Sequence, residues 1–250
     1  MKLLLIGFAI LVLTACGGTN ATQRAGPSPS SGVASNQSQP CPTCTGPASV
    51  GPHKNVEVLK SGFTQGKQGT AYAALISNPN DKLFPTVSVI ITFLDEGGGV
   101  LGSDNNTINI LPKQTTALAG TKDVKGVVKV QVQALAVNWQ VLQSPPGAFT
   151  TDKVNTKVTP NGYDEGSYII TTGTVHSTFA KDLQSVRVTS IYYGASDSVV
   201  GGNSTFIPFV PAGGDVSFET NLPDSGSAMK ISRTEVYAEV TNLSLISGTD

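Results

Sequence analysis

From Val56 onward, apolar residues recur with a period of two in short runs, and no stretch sustains the 3.6-residue period of a helix. The clearest run is Thr86-Val87-Ser88-Val89-Ile90-Ile91-Thr92-Phe93-Leu94. Side chains alternate along a strand, so Val87, Val89, Ile91 and Phe93 share one face. Asp95-Glu96-Gly97-Gly98-Gly99 follows, built from residues that hairpin turns use, and Val100-Leu101 opens the next strand.

The same arrangement returns 99 residues later. Val87 aligns with Val186, Val89 with Val188, Phe93 with Tyr192, and Val100-Leu101-Gly102 with Val199-Val200-Gly201. Ile108 aligns with Ile207 and Leu111-Pro112 with Val210-Pro211, with no gap needed from about Phe84 to Ala119. Each unit opens with a strand (Val56–Leu59, Val154–Val158) and closes with one (Val127–Trp139, Thr234–Leu243). Six or seven strands in roughly 90–100 residues suit an immunoglobulin-like sandwich. The expected fold class is therefore all-β, with two tandem immunoglobulin-like β-sandwich domains at 53–143 and 148–250. They are joined at Ser144-Pro145-Pro146-Gly147.

What precedes them is of another kind. Met1-Lys2 is a short basic start, and Leu3 to Leu13 is almost wholly apolar. That run is shorter than the roughly 20 residues a spanning helix needs, and it fits the core of an export signal. Leu13-Thr14-Ala15-Cys16, followed by two glycines, resembles the bacterial lipobox. The resemblance implies that residues 1–15 are a lipoprotein signal peptide and that Cys16 carries lipid. The protein would then be anchored to the cell membrane on its extracytoplasmic side, at the cell surface or in the periplasm. Two or three acyl chains make a durable anchor.

Residues 16–52 are rich in Gly, Ser, Thr, Pro, Asn and Gln, a composition that buries too little surface to offset ordering, and they read as a flexible stalk. Within it, Pro40-Cys41-Pro42-Thr43-Cys44 is open to three readings. Exported thiols oxidise, so a local Cys41–Cys44 disulfide is the simplest. A redox pair would need a helix N-terminus, which the stalk does not offer. A metal site would recruit His53 beside Cys41 and Cys44, and it lacks a fourth ligand of the usual spacing.

Ile91-Thr92-Phe93-Leu94-Asp95, with Gly97 after it, resembles the F-x-L-Y-D signature of the FxLYD domain. Ala74-Leu75-Ile76-Ser77-Asn78 before it and Leu111-Pro112 after it fit the same pattern. In the second unit the matching run, Ser190-Ile191-Tyr192-Tyr193-Gly194, departs at the first aromatic and at the Asp. The resemblance implies a β-sandwich module common in secreted bacterial lipoproteins, and no activity.

Chemistry is sparse. The chain has two histidines, and no G-x-S-x-G, H-E-x-x-H or Gly-rich phosphate loop. His176, which aligns with Ser77, reads as a surface turn residue. Asp95-Glu96 and Asp164-Glu165 sit beside glycines and read as turns ahead of calcium sites or paired catalytic carboxylates. Trp139 either fills the first core or faces the second domain or a ligand. Phe206, Phe209 and Phe218 read as core of the second domain. A net charge of −1 gives no electrostatic reason to expect nucleic acid or an acidic surface as partner, and with 6% aromatics a ring-lined sugar cleft is not evident. The expected protein is non-catalytic and free of cofactors. It would meet the membrane through Cys16 and a protein or glycan partner through its folded part.

Overall fold

The computed structural model describes residues 52–142, 147–160, 167–223 and 229–242. The described residues contain twelve strands and no helix. The first six are β1 (Glu57–Gly66), β2 (Gly69–Ser77), β3 (Leu83–Leu94), β4 (Val100–Asn109), β5 (Thr115–Lys122) and β6 (Lys129–Val141). The second six are β7 (Phe149–Pro160), β8 (Ser167–Ser177), β9 (Leu183–Tyr193), β10 (Val199–Val210), β11 (Asp215–Pro223) and β12 (Arg233–Val240). They pair antiparallel into four three-stranded sheets, ordered β1-β2-β5, β4-β3-β6, β11-β8-β7 and β10-β9-β12. Each half is thus a six-stranded sandwich. The order matches strands A-B-E over C′-C-F of the immunoglobulin plan, and no described strand fills the seventh position. The fold class read from the sequence is the one observed.

The alternation of β3 explains the first core. Val87, Val89, Ile91 and Phe93 are fully buried and meet Tyr72, Ile76 and Leu118 from the facing sheet. In the second half Val186 and Val188 do the same against Val175 and Phe218. Tyr192 continues that row against Ile169 and Leu222. Fully burying one such side chain contributes about 1.5–3 kcal/mol.

The repeat is visible in the hydrogen bonds. Val87 pairs with Ile108 as Val186 pairs with Ile207. The hairpin turns also coincide. Asp95 N–H donates to Gly99 O and Gly98 N–H to Asp95 O, while Gly194 N–H donates to Ser198 O and Asp197 N–H to Gly194 O. Gly98 has φ +81°, and Asp197 takes the same left-handed position at φ +57°. The gapless alignment holds as far as Ile207 and then slips by one residue. Ile108 and Ile110 point inward two residues apart, whereas Ile207 and Val210 are three apart, across Pro208. Beyond that point Lys113 (φ +58°) matches Gly213 (φ +62°). Gln114 N–H donates to Leu111 O as Gly214 N–H donates to Pro211 O, an offset of 100.

The two sandwiches share a third core. Ala73, Leu75, Ala117 and Ala119 of β2 and β5 pack on Ile191, Tyr193 and Val199 of β9 and β10. Sheets β1-β2-β5 and β10-β9-β12 are therefore inner layers covered on both faces, and β4-β3-β6 and β11-β8-β7 are outer layers. The first eight residues of β2 are all buried, as a doubly covered strand requires. Small side chains let the inner sheets approach closely. A Cβ on Gly62 would stand 1.8 Å from Val199 O, and one on Gly202 would stand 2.8 Å from Ala119 Cβ. The described residues belong to one compact unit.

Candidate functional site

Cys16, Cys41, Cys44 and the Asp164-Glu165 pair lie outside the described residues. His53 is described, and its ring is stacked on Trp139 with centroids 4.3 Å apart. Trp139 itself packs half-buried against the first core. Asp95 is a turn residue, accepting the Gly99 N–H at 2.7 Å on Oδ1. His176 is at the surface as expected, but on a strand. β8 continues through it because it is paired with Thr150 on one side and Asp215 on the other. Its Nδ1 lies 2.7 Å from Asp215 Oδ1 in an exposed pair. Among the described residues no group of three His, Cys, Asp or Glu could hold a metal ion.

Phe218 is core, but Phe206 (56% exposed) and Phe209 (49%) are not. Phe206 alternates with the inward Ile207, and the irregularity at Pro208 turns Val210 inward and Phe209 outward. The Arg187 guanidinium lies 5.4 Å from the Phe206 ring.

Ionisable groups gather where the sandwiches meet. Glu239 is 6% exposed; its Oε1 accepts Asn109 N–H at 2.8 Å, and Oε2 lies 3.7 Å from Arg187 Nη1. Burial pushes its carboxyl up to about 7, against the Arg187 charge and the Asn109 N–H. Asn109 also donates to Val240 O and Thr241 O, so β4 is tied to the end of β12. At the other end Asp197 accepts from Lys60 of β1 and Arg233 of β12. Arg233 lies 3.9 Å over the Tyr193 ring, and Tyr193 and Tyr237 donate to Glu235 at 2.7 and 2.8 Å. Burial would raise the Glu235 carboxyl, but those hydroxyls and Arg233 hold it below its ordinary value. The Asn109–Glu239 and Lys60–Asp197 contacts latch one sandwich to the other.

A cleft of about 570 Å³ lies at the start of β1 and is lined by His53, Lys54, Asn80, Asp81, Lys82 and Lys113. Lys113 Nζ sits 2.9 Å from Asp81 Oδ1 and holds that carboxyl below its ordinary value. The cleft is an open hollow in which lysines outnumber the one carboxylate, Asp81.

The outer faces of the two outer sheets differ sharply. On β11-β8-β7 the outward rows carry Asp152, Lys157, His176, Asp215 and Glu219 among threonines. On β4-β3-β6 they carry no charge beyond Lys129 at one end. Ser103, Asn105 and Thr107 of β4 flank Thr92, Ile90 and Ser88 of β3, which in turn flank Gln131, Gln133 and Leu135 of β6. This face of amides and hydroxyls also carries Leu135, 46% exposed, and Val137, 44% exposed. The repeat gives it a twin. The corresponding face of β10-β9-β12, carrying Ile191, Tyr193, Gly202 and Ser204, is the one buried against the first sandwich. Sequence reasoning missed this face because its residues read only as the polar half of an alternating pattern.

No family model and no curated protein sequence matches the chain. Among solved structures it is similar to the N-terminal CBM22-1-CBM22-2 tandem domain of Xyn10C from Paenibacillus barcinonensis. The match has 10% identity and a TM-score of 0.19 over 78% of this chain and 87% of that one, a likeness too low to carry a functional assignment.

Proposed function

We propose that this chain is a lipid-anchored extracytoplasmic protein that works as a non-catalytic binding module, docking a partner protein on the outer face of β4-β3-β6. One observation carries the reading: that face is uncharged, and its repeat twin in the same molecule already serves as a docking surface for a sheet. Interface centres are depleted of charge, and a flat face without a pocket suits a protein partner better than a small substrate. The lipobox Leu13–Cys16 supports the anchor, and the F-x-L-Y-D-like run around Phe93 supports a module of the FxLYD kind.

Capture from native membranes by the full chain tests the binding. A partner held by the wild type and lost by Asn105→Lys with Thr107→Lys supports the reading. A partner retained by that variant rejects the face. The anchor is tested separately: palmitate labelling and membrane retention both disappear in Cys16→Ser, and retention in that variant contradicts it.

A glycan partner is the second reading, favoured by the exposed rings of Phe209 and of Phe206, the latter beside Arg187. It predicts that Phe206→Ala with Phe209→Ala abolishes retention on immobilised cell-wall polysaccharide. Unchanged retention removes it.

A further inference from the structure

Four three-stranded sheets have eight edge strands, and an unprotected edge is a template for pairing with another chain. Seven of the eight are protected. β1 carries Glu57, Lys60 and a bulge, and β7 carries Asp152, Lys153, Lys157 and a bulge. β11 has Asp215 and Glu219, β12 has Arg233, Glu235 and Glu239, and β10 has Pro208 and a bulge. β5 is packed against the second sandwich, and β4 points Asp104 inward to Tyr72 and is tied to β12 through Asn109. β6 has a bulge only near its end, at Asn138 (φ +52°), where its pairing with Phe84–Thr86 shifts. Its regular stretch Val130–Val137 has no bulge, charge or proline, and after Lys129 the strand stays uncharged through Val141. This strand borders the position that the seventh strand of an immunoglobulin sandwich would fill.

We infer that the free edge of β6 pairs antiparallel with β6 of a second copy of this chain, joining two β4-β3-β6 sheets into one six-stranded sheet. The occupant follows from the composition of the edge. A two-fold axis sets a residue opposite its own counterpart, so any charge near the centre would face a like charge. β6 has none there: with the axis at Gln133, Gln131 faces Leu135, and Lys129 faces Val137. A two-fold perpendicular to the sheet keeps the uncharged outer faces on one side, so pairing doubles the proposed docking face. The pairing does not depend on that face having a partner. An edge of eight residues makes a small interface, which implies a dissociation constant on the order of micromolar.

The test is sedimentation of the full chain in detergent across the micromolar range. Wild type is expected to pass from monomer to dimer, and Gln133→Lys and Gln133→Glu each to weaken dimerisation by about tenfold or more. Mixing the two variants is expected to restore a dimer containing one of each. That exposed position leaves the core untouched, and the restored dimer shows that both variants are folded. A wild type monomeric at every concentration overturns the inference, as does a dimer that neither substitution weakens. Dimerisation that the mixture fails to rescue overturns the two-fold pairing.

Discussion

The sheet β4-β3-β6 and its repeat twin β10-β9-β12 have the same strand order, register and hairpin turn, yet one is an outer layer and the other an inner one. The substitutions between them record the difference. At matched positions on the outward-turned face, Thr92 stands for Ile191, Leu94 for Tyr193, Ser103 for Gly202 and Asn105 for Ser204. On the last strand, Gln131, Gln133 and Leu135 stand for Glu235, Tyr237 and Glu239. The buried twin uses apolar side chains, a glycine for close approach and two carboxylates, Glu235 and Glu239, paired with Arg233 and Arg187. The exposed twin uses hydroxyls and amides, and it has discarded charge. A face needing only solubility would carry Lys and Glu, as the outer face of β11-β8-β7 does. The first outer sheet differs from the second in this lack of charge, which is the feature the proposed docking role rests on.

The comparison can be pressed hardest in the cores. Phe93 and Tyr192 occupy the same repeat position, and both are fully buried. Phe93→Ala is expected to cost about 3–5 kcal/mol, and Tyr192→Ala a similar amount, because the cavity adds to the lost burial. Chemical denaturation of the two variants reads this, and a mild effect in either half would mean that its core does not hold the unit.

Next in size is the pH dependence. Glu239 is buried where its twin is Leu135, and its folded pKa of about 7 lies above the ordinary 4.5. A carboxyl raised on folding stabilises the protein below its unfolded pKa, and the benefit is lost as pH rises through the folded value. Stability is thus expected to fall by up to about 3 kcal/mol between pH 4.5 and 7. Glu239→Gln should flatten that slope. A slope unchanged in the variant would assign it to another group.

Matched valines sharpen the distinction between inner and outer faces. Gly202→Val must push apart the inner sheets and is expected to cost about 1–3 kcal/mol. Ser103→Val, at the same repeat position on the exposed face, should fall within about 0.5 kcal/mol of wild type. Equal effects on thermal unfolding would mean that the two faces are not inner and outer. The smallest change expected is in Asp197→Asn, which breaks exposed contacts to Lys60 and Arg233. Its effect should vanish in high salt, because exposed pairs are screened.

Much of this fold could be read in the chain. The alternation of Val87, Val89, Ile91 and Phe93, the Asp95–Gly99 turn and the offset of 99 all reappear as strand, hairpin and register. Local pattern sufficed there because each feature lies within one strand or one turn. The stacking did not come through, although Ala71-Tyr72-Ala73-Ala74-Leu75-Ile76 is a continuous apolar run of the kind a doubly covered strand shows. Period-two reasoning assigns one face to water by default, and the partner of the second face lies in the other repeat. Phe206 and Phe209 were misassigned for different reasons: Phe206 alternates with the buried Ile207, and Phe209 is turned outward by the irregularity at Pro208, which composition does not reveal. The uncharged length of β6 was in plain view, but only the topology makes it an edge.

The most direct test of the shared inner core is scanning calorimetry of the full chain. Two sandwiches held by Ala73, Ala119, Ile191 and Tyr193 should melt in one transition whose calorimetric and van't Hoff enthalpies agree. Gly202→Val should then separate that transition into two. Two transitions already present in the wild type, unmoved by Gly202→Val, would show that the sandwiches are independent and would contradict the account.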